Sequence, residues 1–201
     1  MVTDTLVTIR SMTPADIPQV VTLQVAFLEG SIVTELGKGF LCRFHAAALA
    51  HPSARAVVAI EESTVLGFAL ASTDVHAFNK YVKPRVLVPL VRALASPRRL
   101  RMGLSVARGL TDREPQPPIP AELLLLVVDS GVRRRGIGHR LLRSLEDGFR
   151  RERVATYRVA VRSHLAVARS FYLATGFTPE QERTVLGRPM TYLTRQVPDR
   201  P

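Results

Sequence analysis

The segment from Leu123 to Leu142 restricts the fold of this chain more than any other. An apolar run, Leu123 to Val128, stops at Asp129-Ser130-Gly131, and Arg133-x-x-Gly136-x-Gly138 then leads into apolar residues at helical spacing. That order reads as strand, glycine-containing loop and helix N-terminus. Loop amides and the positive end of a helix aimed at one spot stabilise an anion there. Glycine lets the backbone turn tightly and approach a ligand, and the arginines add bidentate donors for phosphate. The segment reads as a pyrophosphate cradle, against the blander alternative of an arginine-rich turn closed by glycine. A dinucleotide-binding loop fits less well, because Leu141 stands where the third glycine of Gly-x-Gly-x-x-Gly belongs. No Gly-Lys-Ser/Thr follows, so a Walker loop is excluded.

The bulk numbers leave room for this site and do little to specify it. At 201 residues the chain suits one domain with a sizeable core. Its 46% hydrophobic and 22% charged residues are ordinary for a soluble globular protein. The single cysteine, Cys42, rules out an internal disulfide; it reads as a small packed side chain and fits a reducing, cytoplasmic setting. No apolar run approaches the roughly 20 residues that span a bilayer, and no basic-then-apolar leader opens the chain. The net charge of +11 favours anionic partners without choosing among them.

Periodicity and punctuation predict the order of elements. Thr5 to Arg10 reads as a strand, and Thr13-Pro14-Ala15-Asp16 as a helix cap with Pro at the first helical position. Helices are expected from Ile17 to Phe27 and from about Gly37 to Ala50. Ala54 to Ile60 and Thr64 to Ala71 read as a hairpin. Glu122 to Val128 is the strand before the cradle, and Gly136 to Arg150 the helix after it. Thr156 to Val161 is a further strand, Leu165 to Thr175 a helix closed at Gly176, and Glu182 to Leu186 with Met190 to Val197 a last hairpin. Strand alternation is expected to place Glu122, Leu124, Leu126 and Val128 on one face.

Arg133, Gly136 and Gly138 resemble the Gln/Arg-x-x-Gly-x-Gly/Ala motif of the GNAT superfamily of N-acetyltransferases. Ala168-Arg169-Ser170-Phe171-Tyr172-Leu173-Ala174-Thr175-Gly176-Phe177 is similar to that family's Ala-x-x-Phe/Tyr-Tyr-x-x-x-Gly-Phe signature. The opening Ile9 to Asp16 and the order of elements are similar as well. The resemblance spans nearly the whole chain except residues 73–120. It implies a single domain over residues 1–201 with an α/β GNAT fold: a mixed central sheet of six to seven strands, splayed at the cofactor strand and flanked by about four helices. Residues 73–120 depart from a minimal family member. They hold nine Lys and Arg residues (Lys80, Lys83, Arg85, Arg92, Arg98, Arg99, Arg101, Arg108 and Arg113), interleaved with apolar positions, and close in a Pro-rich linker. This reads as a basic amphipathic helical insert. Its apolar face either packs on the domain or serves as a surface for membrane or nucleic acid, the first reading being preferred.

The resemblance further implies an acetyl-CoA-dependent N-acetyltransferase. The cosubstrate would lie on the amides of Leu126, Val127 and Val128 and on the cradle from Arg133 through Arg134, Arg135, Gly136, Ile137 and Gly138 to His139. One strand amide, that of Leu126, would face the acetyl oxygen. Tyr172 aligns with the tyrosine that protonates the departing sulfur, against the alternative that it only packs. Glu122 aligns with a strand-opening glutamate that serves as base, directly or through water, against the alternative of a solvated carboxylate. Two departures argue against a protein N-terminus as acceptor: Ala160 replaces a glutamate, and Leu165, beside His164, replaces an asparagine. His76, His139 and His164 show no metal-ligand spacing, and no metal is expected. The acceptor is expected to be a small-molecule or peptidic amine, with an acidic one left open. Nucleic acid is not favoured, peripheral membrane contact through the insert stays open, and the chain is read as monomer or homodimer. The alternative from another class is a non-catalytic basic module that uses a GNAT-like fold to hold nucleic acid or a protein partner.

Overall fold

The hairpin from Ala54 to Ser72 seeds the sheet. Strands β2 (Ala54–Glu61) and β3 (Thr64–Ser72) are rich in Val, Ile, Leu and Ala, and Glu62 takes φ +57 in the tight turn between them. Both faces of β3 are buried, as a near-continuous apolar run requires. The computed structural model describes residues 6–28, 37–94, 119–185 and 187–199. Among these, β1 (Thr8–Ser11), β4 (Glu122–Val128), β5 (Thr156–Arg162), β6 (Thr178–Val185) and β7 (Arg188–Gln196) complete an open seven-stranded sheet in the order β1-β2-β3-β4-β5-β7-β6. Every neighbouring pair is antiparallel except β4 and β5, which are parallel. The mixed, splayed GNAT-type sheet expected from the sequence is the sheet observed.

Two apolar layers cover it. On one face lie α1 (Ile17–Phe27), α2 (Lys38–Leu49) and α3 (Val75–Leu94), packed through Val20, Val21, Phe40, Leu41, Phe78 and Val82 onto Val58, Phe68 and Leu70. On the other lie α4 (Ile137–Arg151) and α5 (Ala166–Ala174). Helix α4 buries Ile137, Leu141, Leu142, Leu145 and Phe149 while its arginines point outward, the division a 3.6-residue period produces. Each such side chain taken fully out of water stabilises by about 2 kcal/mol. Buried Glu146 accepts from the Tyr157 hydroxyl at 2.6 Å and from Arg195 Nε at 2.7 Å, so one carboxylate ties α4 to β5 and β7. Arg195 in turn lies over Gly176, whose φ of +87 ends α5; a Cβ there would sit 2.6 Å from the guanidinium.

Helix α3 supplies the described part of the 73–120 insert. Within it Val75, Phe78, Val82 and Val86 are buried. The insert leaves and rejoins the domain at one point, where the Val75 amide donates to the Pro120 carbonyl at 2.8 Å. The helix runs through Pro84, which has no N–H to give. Arg85 Nη1 donates to the Tyr81 carbonyl at 3.0 Å and lies 3.5 Å from the centre of the Tyr81 ring. Arg98, Arg99, Arg101, Arg108 and Arg113 lie outside the described residues.

Three expectations need correction. Among the described residues the first strand begins at Thr8, with Leu6 and Val7 before it outside the strand and Thr5 outside the described residues, and β6 begins at Thr178, four residues before its expected start at Glu182. Pro179 and the polar run after it hide that strand, which is tolerated because β6 is an edge strand. The third concerns β4. Leu70 faces Leu125 and Ala71 faces Leu123, so Leu124 is an extra residue, a bulge. Leu126 and Val128 therefore pack on the α4 side, whereas Leu124 joins the α1 side with Leu125 and Val127. The expected single face of Glu122, Leu124, Leu126 and Val128 does not exist.

Candidate active site

Strand β4 parts from β5 almost as soon as the two meet. Their register holds only at Glu122–Arg158 and Leu123–Val159, reinforced by the Arg158 amide on the Ala121 carbonyl at 3.0 Å. Beyond Leu123 the strands diverge, and the β5-facing edge of β4 opens into a cavity of about 740 Å³. The direction of the β4 amides follows from its other edge. The Asp129 amide donates to the Leu66 carbonyl at 2.9 Å, so the amide two residues earlier, on Val127, also faces β3. The amides of Leu126 and Val128 are the ones turned to the opening. Val127 lines the cavity as wall without offering its amide to it.

The loop after β4 continues this row of donors. Asp129 folds it by accepting from the Gly131 amide at 2.8 Å. Arg134 at φ +64 and Gly136 at φ +72 then reverse the chain into α4. Among the described residues, the amides of Arg134, Gly136, Ile137, Gly138 and His139 give no hydrogen bond to the protein backbone; the first helical bond runs from Arg140 to the Gly136 carbonyl at 3.1 Å. These donors gather at a helix N-terminus, where the partial positive charge also falls. Arg133 and Arg134 line the cavity beside them. Arg135 turns away to Glu61 at 2.6 Å, holding that carboxyl below its ordinary value and fastening the loop to the β2–β3 hairpin.

The two motif glycines serve different ends. Gly136 has open space where a Cβ would project and is required by its left-handed φ. Gly138 has ordinary φ; a Cβ there would press on the Phe171 ring at 3.2 Å, so its role is to let α5 close on α4. Tyr172, one residue on, is buried at 7% exposure and lines the cavity. Its hydroxyl has no protein partner among the described residues, and burial pushes the phenol well above its ordinary value. Glu122 sits outside the cavity lining. Its carboxylate takes Arg158 Nε at 2.8 Å and Nη2 at 2.7 Å, both side chains largely buried, and Arg158 also stacks 4.8 Å from the Tyr192 ring centre.

Residues 110–189 match the family model described as an acetyltransferase (GNAT) domain. The matched segment holds both the loop from Arg133 to His139 and Tyr172, and over it the chain is similar to the GNAT superfamily. Solved acetyltransferase structures share the fold at low identity. The ribosomal-protein-S18-alanine N-acetyltransferase of Escherichia coli aligns with a TM-score of 0.60 at 16% identity, covering 98% of this chain and 97% of that one. The PaiA N-acetyltransferase of Thermoplasma acidophilum, in complex with coenzyme A, gives 0.62 at 15%, covering 95% and 99%. Ard1 of Thermoplasma volcanium gives 0.61 at 19%, covering 96% and 99%. No curated protein sequence matches the chain.

Within the matched segment the fold brings Leu126, Val127, Val128, Arg133, Arg134, Gly136, Ile137, Gly138, His139 and Tyr172 onto one cavity and leaves Arg135 and Glu122 off it. The sequence reading missed the rest of the wall. His164, Leu165 and Val167 enter at the start of α5, five to eight residues before Tyr172, and the two-turn spacing of Leu165 from Tyr172 was the available signal. Phe27 and Leu28, from the end of α1, had no local signal at all. The donor set suits a phosphorylated cosubstrate with an extended, amide-bearing arm: free loop amides and arginines at one end, an unpaired strand edge in the middle, a lone phenol beside it. No helix among the described residues is long and apolar enough to cross a membrane.

Proposed function

We propose that the protein is an acetyl-CoA-dependent N-acetyltransferase that moves the acetyl group to an amine by direct attack. The observation that supports this most is the continuity of unpaired donors. The amides of Leu126 and Val128 on the open β4 edge lead into those of Arg134, Gly136, Ile137, Gly138 and His139, and the unpartnered Tyr172 hydroxyl faces the same cavity. Acetyl-CoA bound there supplies a thioester whose carbonyl is open to an amine. The loop amides and Arg133 and Arg134 hold its phosphates. The Leu126 amide donates to the acetyl oxygen as charge develops, a fixed donor worth about 3 kcal/mol of barrier. Tyr172 gives its proton to the leaving sulfur; a phenol held protonated by burial keeps that proton ready throughout the neutral range.

The amine must arrive neutral and lose a proton. Glu122 opens the strand that carries the open edge, yet Arg158 occupies its carboxylate. In this reading Glu122 acts through water if it acts as base at all, and otherwise fixes the point where β4 and β5 part. Calorimetry with acetyl-CoA tests the core of the reading. The wild type binds, and Gly136→Glu, which forces a side chain into a left-handed turn and sets a carboxylate among the phosphate donors, abolishes binding. Equal affinity in the two proteins refutes the site.

A further inference from the structure

A second cavity, of about 280 Å³, lies at the opposite end of α4 from the cradle, against the β1–β2 edge of the sheet. Ser11 at the end of β1, Arg55 and Val57 of β2, and Ser144, Gly148 and Arg151 of α4 line it. Among the described residues, the Ser11 and Ser144 hydroxyls and the Arg151 guanidinium have no hydrogen-bond or ion partner. Their neighbour Arg55 differs. It is taken up by Glu152 and by the carbonyls of Pro52 and Ala54, which also ties the nearby carboxylate away from the cavity.

Gly148 supplies an independent observation. It sits inside α4 with ordinary helical φ, where glycine is less stable than alanine. A Cβ there would meet only Arg55 Cδ at 3.6 Å, and Arg55 Cγ and Arg151 Nη2 at 3.9 Å, all ordinary contacts. Neither backbone nor packing requires glycine. What its bare Cα preserves is space on the cavity floor, between the Arg151 guanidinium and the aliphatic stem of Arg55.

We propose that this cavity binds a phosphate group, free or carried by a small molecule. Arg151 would donate two parallel N–H groups and the hydroxyls of Ser11 and Ser144 one each, a set that matches a phosphate's acceptor oxygens. The carbonyl end of α4 opposes an anion; Arg150 in its last turn is paired with Asp147, so Arg151 supplies the charge that offsets that field. The site is separate from the cradle and does not depend on the proposed transferase activity.

Nitrogen-15 amide shifts of the whole chain, titrated with inorganic phosphate at constant ionic strength, test this. Phosphate also meets the cradle, so the readout is by residue. Saturable shifts are expected at Ser11, Ser144 and Gly148, and Arg151→Ala weakens that binding about tenfold while shifts at Gly136 and Gly138 stay as in the wild type. Gly148→Ala is expected to raise the melting temperature and weaken phosphate binding at this site, a combination a purely structural glycine does not give. Glycerol phosphate in place of inorganic phosphate distinguishes the sources: tighter binding of the ester identifies a carried phosphate, equal or weaker binding a free one. Shifts at Ser144 and Gly148 that fail to saturate, or that survive Arg151→Ala unchanged, overturn the proposal. Loss of acetyl-CoA binding in the calorimetry above would leave it standing.

Discussion

The two edges of β4 are made from the same seven residues and behave in opposite ways. Toward β3 the strand is paired at six positions from Glu122 to Val128; toward β5 it is paired at two. The difference does not lie in composition, since Leu123 to Val128 are apolar throughout. It lies in the bulge at Leu124, which adds a residue, raises the local twist and turns the strand away from β5. A closed edge satisfies its backbone internally. An open edge leaves donors of the kind that natural structures rarely bury unpaired, and a ligand or water must satisfy them. The same strand therefore serves stability on one side and, in the function proposed, binding on the other.

Closing pressure on the paired edge should give the largest effect. Gly67 lies opposite Val128, and a Cβ on it would stand 2.8 Å from the Val127 carbonyl. Gly67→Val should destabilise the fold by about 3 kcal/mol, because the clash is with backbone that cannot move without unpairing β3. Urea unfolding measures it. A loss no larger than that of an exposed-site substitution would show the paired edge to be as yielding as the open one.

Next comes the pin where the two edges part. Glu122→Gln leaves the Arg158 guanidinium buried without its counter-ion, at a cost of about 3 kcal/mol. The pH profile of kcat/KM then separates two roles. If Glu122 takes the amine's proton, the rising acidic limb disappears in Glu122→Gln. If it only holds β5 to β4, the limb keeps its shape while the rate falls uniformly.

What the sequence disclosed about these edges follows from how local each signal is. The strand–loop–helix order was legible because Arg133, Gly136 and Gly138 lie within six residues, and α4 because its buried residues repeat at helical spacing. The bulge was hidden. Four consecutive leucines carry no alternation, so nothing marks Leu124 as the extra residue. Gly138 was legible as a motif position but not in its cause, since Phe171 is distant in the chain and meets it only after α5 docks. The grip of Arg158 on Glu122, and the arrival of Phe27 and Leu28 at the cavity, are likewise products of the assembled sheet.

On the open side, Tyr172→Phe isolates one hydroxyl. Because that hydroxyl has no protein partner among the described residues, its removal should leave stability unchanged or slightly raised. In turnover it should lower kcat about 10- to 100-fold with little change in acetyl-CoA affinity, the mark of a group that matters as the sulfur gains charge. Burial raises the phenol's pKa, so the donor stays protonated through neutral and mildly alkaline pH. The wild-type kcat should show no falling limb from this group there. An unchanged kcat in the variant would reduce Tyr172 to a packing residue, and the open edge would lose its chemistry while keeping its binding.

The smallest effect should come from the capping of α1, on the closed side and far in sequence from the opening. Asp16 accepts from both terminal nitrogens of Arg10 at 2.7 Å, and from the amide and hydroxyl of Thr13 at 2.7 and 2.8 Å. Chiefly through Arg10, its carboxyl is held down at about 2, below the roughly 3.9 of an unfolded chain. A depressed carboxylate contributes stability that is fully present above the unfolded value and is lost as pH falls through the folded one. Arg10 is partly exposed, so solvent screens the pair, and about 1 kcal/mol is the expected scale. Asp16→Asn should therefore be less stable than the wild type at pH 7, and the gap should shrink steadily as pH falls from about 5 toward about 2. Acetyl-CoA affinity should not change at pH 7, although α1 ends at Phe27 and Leu28 on the cavity wall. A gap independent of pH would show that the cap acts through helix propensity and not through its charge. A change in affinity without one in stability would mean that the closed side transmits to the open one through α1.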